Sequence, residues 1–294
     1  MRKLPRFDYF MVTTFEEALE LLQKYHGQIR PLAGGTDLFI AMKEKDAHPE
    51  NILDLKGIKG FDFIREIEGG IEIGALATIR SIETSPLIKQ RFPLLSEAAG
   101  KLGSVQVRNR ATIGGNLCNA APSAETAPPL ICLQAEAEVI EISGIRRVPL
   151  EEFFTGPGQH VLNGSGLMRS IIVPFTPENC GGVYFKYSPR KAMDLAVVGV
   201  GCVLTLDAEK KRCLNSRIVL GAVSPIPLRV RKAEAMVNGR EITEKEIEEA
   251  GVVASQEANP ITDVRGSAEY RREMVKVFVK TGIREVLNLI RTSG

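Results

Sequence analysis

Two glycine-rich turns, Ala33-Gly34-Gly35-Thr36-Asp37 and Thr112-Ile113-Gly114-Gly115-Asn116, constrain this chain more than any other feature of its sequence. Each follows an apolar approach that reads as a strand: Ile29 to Leu32 before the first, Val105 to Val107 and then Ala111 before the second. Adjacent glycines reach backbone angles closed to other residues and let the main chain come close to a ligand. Successive uncovered amides then form a concave donor cluster suited to a phosphate. Two such clusters suggest two phosphates, and adjacent phosphates suggest a dinucleotide. The common fingerprints G-x-G-x-x-G and G-x-x-x-x-G-K-[ST] are absent, so neither adds support. The second turn lies within Arg108 to Leu130, a small, polar, Pro-rich stretch with almost no periodicity. Long structureless stretches in compact domains are usually functional. This one reads as a loop that embraces a ligand.

Length and composition narrow the class. A chain of 294 residues suggests about two domains. Its 44% hydrophobic and 25% charged residues are ordinary for a globular protein with more than one core. A net charge of +2 with dispersed basic residues does not indicate a nucleic-acid surface. No apolar run approaches the length of about 20 needed to span a bilayer. Arg2 and Lys3 precede Leu4-Pro5-Arg6 rather than an apolar stretch, which is not the pattern of a secretory signal. A cytoplasmic protein is expected. The five cysteines (Cys118, Cys132, Cys180, Cys202, Cys213) lack C-x-x-C spacing, so they suggest neither a disulfide framework nor a metal or cluster site. Cys132, Cys202 and Cys213 read as buried apolar residues, whereas Cys118 sits in the second glycine loop.

Along the chain, Thr14 to Glu17 has the form of a capping box, and Phe15, Ala18, Leu19 and Leu22 share a helical face. Gly27 closes that helix, and a second helix is expected from Asp37 to Lys43, directly after the first glycine turn. A strand, a glycine turn and a helix start bring amides and helix dipole together at a phosphate. With Ile52 to Leu55 as a further strand, residues 1–55 form a small α/β unit. Residues 56–176 read as an α+β unit with a mainly antiparallel sheet. Ile71 to Ala75, Ala137 to Ile142 and Arg169 to Val173 are its strands, and Ile79 to Gln90 and Pro93 to Leu102 its helices. Leu130 to Leu133 is read as the start of the returning chain. After a linker, residues 177–294 carry three strand candidates, Gly182 to Tyr187, Ala196 to Leu206 and Arg217 to Ala222. The helices Arg231 to Val237, Thr243 to Ala250 and Ala268 to Ile290 follow. Met274, Val277 and Phe278 mark the apolar face of the last.

Side chains offer little catalysis. His26, His48 and His160 lie beside no nucleophile and in no ligand spacing. Glu16 and Glu17 mark a helix start, and Glu151 and Glu152 read as a solvated face. No catalytic or metal-binding residue is assigned. Such a chain is built to hold something reactive, and cofactors carry the chemistry that it lacks.

The two motifs resemble those of the FAD-binding medium subunits of the molybdenum hydroxylases, of the xanthine dehydrogenase and aerobic carbon monoxide dehydrogenase type. The family form P-x-A-G-G-T-D-L is matched by Pro31 to Leu38, and R-N-x-A-T-I-G-G-N by Arg108 to Asn116. A third, weaker match is Phe185-Lys186 followed by Arg190, Asp194 and an alternating apolar strand. The resemblance implies an α+β fold with a two-part FAD-binding domain of the PCMH/VAO type (1–176) followed by a C-terminal flavoprotein domain (177–294). That second domain would carry a three-stranded antiparallel sheet and helices. It implies non-covalent FAD between the two glycine motifs, with the flavin ring pointing toward the third unit. Carried over residue by residue, Arg30, Pro31, Leu32, Ala33, Gly34, Gly35, Thr36 and Asp37 line the first wall. Thr36 donates its hydroxyl, and Asp37 accepts from a ribose hydroxyl or supports the turn. Ala111, Thr112, Gly114, Gly115, Asn116 and Asn119 line the second wall, with Leu102 and Gly103 beside the adenine or the ring. Glu125, Met168 and Lys186 complete the set. Lys186 is placed near the ring, ahead of a basic loop bearing Arg190 and Lys191. Relatives often have Asp where Glu125 stands, and an acidic residue where this chain has Gly166.

The same resemblance implies an electron-transfer subunit that works with an iron–sulfur small subunit and a molybdenum-cofactor large subunit, as a heterotrimer or a dimer of heterotrimers. The [2Fe-2S] clusters and molybdenum would reside in those partners, and NAD is one candidate acceptor. Two alternatives stay open: a self-contained flavin oxidase of the same flavin-binding fold, and a non-enzymatic nucleotide-binding module.

Overall fold

The computed structural model describes residues 4–44, 47–190 and 193–292. Arg2, Lys3 and Lys191 lie outside the described residues. The first unit runs β1 (Asp8–Met11), α1 (Phe15–Lys24), β2 (Ile29–Leu32), α2 (Leu38–Glu44) and β3 (Asn51–Asp54). β3 is central and pairs in parallel with β1 and β2, and all four of its residues are buried. Parallel neighbours need a crossover, which α2 supplies between β2 and β3, while β1 is joined to β2 by α1. The buried face of α1 is Phe15, Ala18, Leu19 and Leu22, as the spacing predicts. The capping box is shifted by one residue. The Thr14 hydroxyl accepts from Glu17 N, while the Glu17 carboxylate accepts from Thr13 N at 2.8 Å.

The second unit comprises β4 (Ile64–Ile67), β5 (Gly70–Gly74), helices α3 (Ile79–Thr84) to α8, β6 (Glu136–Glu141), β7 (Gly144–Pro149), α9 (Leu150–Phe153), the short pair β8 (Phe154–Gly156) and β9 (Gln159–His160), and β10 (Gly166–Pro174). Its five-stranded sheet is antiparallel in the order β4-β5-β10-β6-β7. The helix expected from Ile79 to Gln90 is two helices, α3 and α4 (Pro86–Arg91). Ser85 caps the second, accepting from Ile88 N, and Pro86 occupies its first turn, where the missing proline N–H costs nothing. α5 (Pro93–Gly100) follows.

The segment read as structureless, Arg108 to Leu130, is threaded by short helices: α6 (Val105–Arg108) ends at its first residue, α7 (Ile113–Cys118) lies inside it and α8 (Ala127–Cys132) starts within it. Val105 to Val107 is therefore a helical turn and not a strand, and Leu130 to Leu133 ends α8. Single turns this short leave no apolar periodicity to read. Side-chain caps support the first two, the Ser104 hydroxyl accepting from Val107 N and the Thr112 hydroxyl from Gly115 N; α8 has no such cap and is buried along its whole length.

The third unit has β11 (Cys180–Tyr187), β12 (Val198–Leu206), β13 (Cys213–Gly221) and β14 (Leu228–Arg229) in one antiparallel sheet, with α10 (Arg231–Val237), α11 (Glu244–Glu257) and α12 (Ala268–Thr292). The expected three-stranded sheet has a fourth strand. β14 is only two residues long, too short to leave an alternation in the sequence. The capping box of Thr243 and Glu246 forms at the start of α11. The buried face of α12 is Val275, Val279, Ile283, Val286 and Ile290, and Val277 is exposed, so the apolar stripe is rotated from the expected one.

β12 is buried on both faces because successive side chains alternate. Val200, Cys202 and Leu204 join the core under α12, and the opposite face seats on the FAD-binding half. There, glycines allow close approach. A Cβ on Gly201 would lie 3.0 Å from Cys132 Sγ and 3.2 Å from the Pro128 backbone, and one on Gly221 would lie 3.1 Å from Pro128. The same interface draws in Glu151. Its carboxylate lies 3.2 Å from Arg229 and 3.6 Å from Arg217, and it also accepts from Arg231. Expected on a solvated face, Glu151 is the acidic centre of the contact between the two halves. No helix among the described residues is long and apolar enough to cross a membrane.

Candidate functional site

The two glycine turns meet. A Cβ on Gly34 would lie 2.2 Å from the Arg110 carbonyl oxygen and 2.8 Å from Ala111 Cα, so the first turn rests directly on the backbone of the second loop. Gly35 has φ +75°, a left-handed conformation that glycine adopts without strain. Among the described residues, the amides of Gly34, Gly35, Thr36 and Asp37 donate to no group of the chain. Four successive unpaired donors, with the Thr36 hydroxyl beside them, make a cradle that fits a phosphate. Asp37 is solvent-exposed at its surface, yet partial desolvation by the surrounding protein pushes its carboxyl above the usual range.

The second loop differs from the expectation of uncovered amides. Ile113 N donates to Ala77 O and Gly114 N to Ala75 O, each at 2.9 Å; Gly115 N donates to Thr112 Oγ1 and Asn116 N to Thr112 O. Thr112 and Gly114 are buried, and buried amides have to be paired, so the strand end at Ala75 and the Thr112 cap take them. A Cβ on Gly114 would lie 2.8 Å from Ala75. This glycine therefore serves close packing. The Asn116 side-chain oxygen accepts from the Thr126 hydroxyl.

Arg108, which opens the second motif, is buried and structural. Its guanidinium pairs with Glu83 at 2.7 Å and donates to the Leu102 carbonyl at 2.9 Å, fixing the turn at Leu102 and Gly103. From the third unit, Lys186 reaches the same place. Its ammonium donates to Glu125 Oε1 (2.7 Å), the Lys101 carbonyl (2.9 Å) and the Asp194 carbonyl (2.7 Å), and the Lys186 and Glu125 side chains are only 6% and 7% exposed. Burial pushes the Glu125 carboxyl up, the Lys186 charge opposes that rise, and the nearby Asp37 carboxylate adds to it. The Asp37 and Glu125 carboxylates are therefore close enough to feel each other's charge.

Of the residues expected at the site, Gly34 to Asp37, Ala111, Thr112, Gly114 to Asn116, Leu102, Gly103, Glu125 and Lys186 lie in these contacting segments. Arg30 and Pro31 are exposed on β2 with Leu32 buried between them and the turn, and Arg30 is close enough to His160 to help burial lower the imidazole pKa. Asn119 is exposed, and Met168 is buried in the core on β10. Cys118 is half-buried, with its thiol pushed up to about 12 by the surrounding protein. Sequence reading did not single out Lys101, Glu83 or Ala75. Each acts through contacts with residues distant in sequence, which leave no pattern along the chain.

Residues 5–176 match the FAD binding domain in molybdopterin dehydrogenase, and residues 183–286 match the CO dehydrogenase flavoprotein C-terminal domain. The chain belongs to the FAD-binding medium subunits of the xanthine dehydrogenase and CO dehydrogenase family. It is thus a subunit of an FAD-dependent oxidoreductase. This medium subunit is 32% identical to the glyceraldehyde dehydrogenase medium chain of Sulfolobus acidocaldarius, over 96% of its own length and 99% of that chain's. It is 30% identical to the 6-hydroxypseudooxynicotine dehydrogenase complex subunit alpha of Paenarthrobacter nicotinovorans, covering 98% and 97%. Among solved structures, it superposes on a chain of the carbon monoxide dehydrogenase from Hydrogenophaga pseudoflava with a TM-score of 0.93, at 32% identity and covering 96% and 97%. The two-part FAD-binding fold and the antiparallel C-terminal domain expected of the family are both present in this medium subunit.

Proposed function

We propose that the chain is the electron-transfer subunit of a multi-subunit molybdenum hydroxylase or dehydrogenase, passing electrons from iron–sulfur clusters of a small partner to FAD and on to NAD or another acceptor. The observation that carries this reading is the turn from Gly34 to Asp37, where four unpaired amides sit against the second motif. When bound there, non-covalent FAD supplies the electron storage that no side chain of the chain offers. The residues Arg30 to Asp37 hold the diphosphate side, and charge-assisted bonds from backbone amides are roughly twice as strong as neutral ones. Thr36 adds a hydroxyl donor, and Asp37 orients a ribose hydroxyl. Ala111, Thr112, Gly114, Gly115, Asn116 and Asn119 form the facing wall, with Met168 as packing beneath it. Leu102, Gly103, Glu125 and Lys186 close the side toward the third unit. The domain division falls at the linker near residue 176. Molybdenum cofactor and [2Fe-2S] clusters belong in the large and small partners of a cytoplasmic heterotrimer or its dimer. The relatives named as a medium chain and as a complex subunit support that assembly.

Titration of the purified chain with FAD tests the site, read by flavin absorbance and fluorescence. One FAD per chain is expected, and Thr36→Val, which removes a donor to a charged group without changing side-chain size, should weaken binding about tenfold or more. A wild-type chain that takes up no FAD, or a valine variant that binds as tightly as wild type, would contradict the assignment.

A further inference from the structure

The ammonium of Lys186 is spent entirely within the protein. An ammonium has three donors, and each has its acceptor in a different segment: Glu125 from the loop before α8, the Lys101 carbonyl from the end of α5, and the Asp194 carbonyl from its own domain. Lys186 itself lies on β11, the strand by which the third unit faces the site. Three further contacts converge there. The Lys101 ammonium donates back to the Tyr184 carbonyl at 2.7 Å and to Glu97 at 2.6 Å, and Met193 N donates to Gly103 O at 3.3 Å. The two segments that Lys186 crosses to, Lys101 to Gly103 and Glu125, are walls of the proposed FAD site.

We infer that Lys186 is a positioning residue. It ties the third unit to the Lys101–Gly103 turn and to Glu125, so that retention of FAD depends on the docking of the C-terminal sheet. This rests on the FAD reading of the site and goes beyond it, because the lysine acts on the cofactor through the walls it holds and not through its charge on the ring. The groups facing Glu125 are Lys186, Asp37 and the phenol of Tyr184, with the Lys101–Glu97 pair behind them. Among the described residues, Lys186 is the cation that touches the carboxylate. Removing one member of a buried ion pair leaves the other uncompensated, whereas neutralising both is far better tolerated.

The test compares wild type, Lys186→Met and the double variant Lys186→Met with Glu125→Gln. Three properties are measured: FAD affinity, the midpoint potential of bound flavin, and the urea unfolding midpoint of the FAD-free chain. Lys186→Met should weaken FAD binding by more than about tenfold and lower the unfolding midpoint, with the potential of the flavin that remains bound unchanged. The double variant should recover most of both losses. A shifted potential with full affinity would overturn the inference in favour of direct action on the ring. A double variant no better than the single one, or no effect on either property, would overturn it as well. A wild-type chain that binds no FAD would refute the cofactor reading, and the rescue in urea would still decide whether the pair ties the two halves together.

Discussion

Gly34→Val should remove FAD binding and destabilise the FAD-binding half together. Its Cβ would stand 2.2 Å from the Arg110 carbonyl and 2.8 Å from Ala111 Cα, both backbone atoms of the facing loop. A flexible side chain could swing away, but here one glycine loop has to move off the other. Valine adds two methyls to that overlap. The cost belongs with the exceptional single substitutions, about 4 kcal/mol or more, and FAD affinity should fall by more than about a hundredfold. Gly60→Ala is the matched control. Gly60 also has a positive φ, but nothing lies within 4 Å of its added Cβ, so only backbone strain of about 1 kcal/mol is expected. Equilibrium unfolding and FAD titration of the two variants read the difference. Equal effects would mean that contact between the loops is not what Gly34 supplies.

The second large effect is on acid stability through Glu151. Burial pulls its carboxyl pKa up, but hydrogen bonds and charge from Arg229, with the charge of Arg231, outweigh that and hold it below the usual range. A carboxylate whose folded pKa lies below its unfolded value stabilises the fold fully above the unfolded value, and that contribution is lost as pH falls through the folded value. Glu151→Gln cannot titrate there. At neutral pH it should be less stable than wild type by about 2 kcal/mol, less than a fully buried broken pair because the Glu151 side chain is 27% exposed. As pH falls below the ordinary carboxylate range, the difference between the two proteins should shrink toward zero. Urea unfolding midpoints measured across acid pH check this, and a gap that stays constant would place Glu151 outside the interface energetics.

The parts of this molecule legible in its sequence are those where one residue type had to stand at one position. The diglycines of the first turn, the apolar face of α1 and the central strand β3 follow from local geometry and periodicity. The second motif was legible as a motif but not in its physics. Its glycines were expected to free amides for a phosphate, yet the Gly114 and Gly115 amides are bound to Ala75 and Thr112. Only the fold reveals that Ala75, nearly forty residues earlier, comes to lie there. α6 to α8 escaped notice because helices of four to six residues carry no period. Glu151 and Lys186 show the same limit for charges. A sequence gives a charge but not the three arginines or the buried carboxylate that a domain contact brings to it. In β12, the residues facing one core were legible as apolar alternation. Gly201 between them, which seats the sheet on α8, carries no sign of that contact in the sequence.

The most direct test of the account is the cofactor content of this chain purified under mild conditions, with an affinity tag, from cells that make it naturally. Flavin, molybdenum and iron are determined on the same sample, together with its oxidation activity. The account predicts FAD, molybdenum and iron in fixed proportion, with the metals lost and the FAD retained when the chain is separated from its partners, and no oxidation of an organic substrate by the separated chain. A chain that purifies alone with FAD, carries no molybdenum or iron, and turns over an alcohol, amine or purine would contradict it.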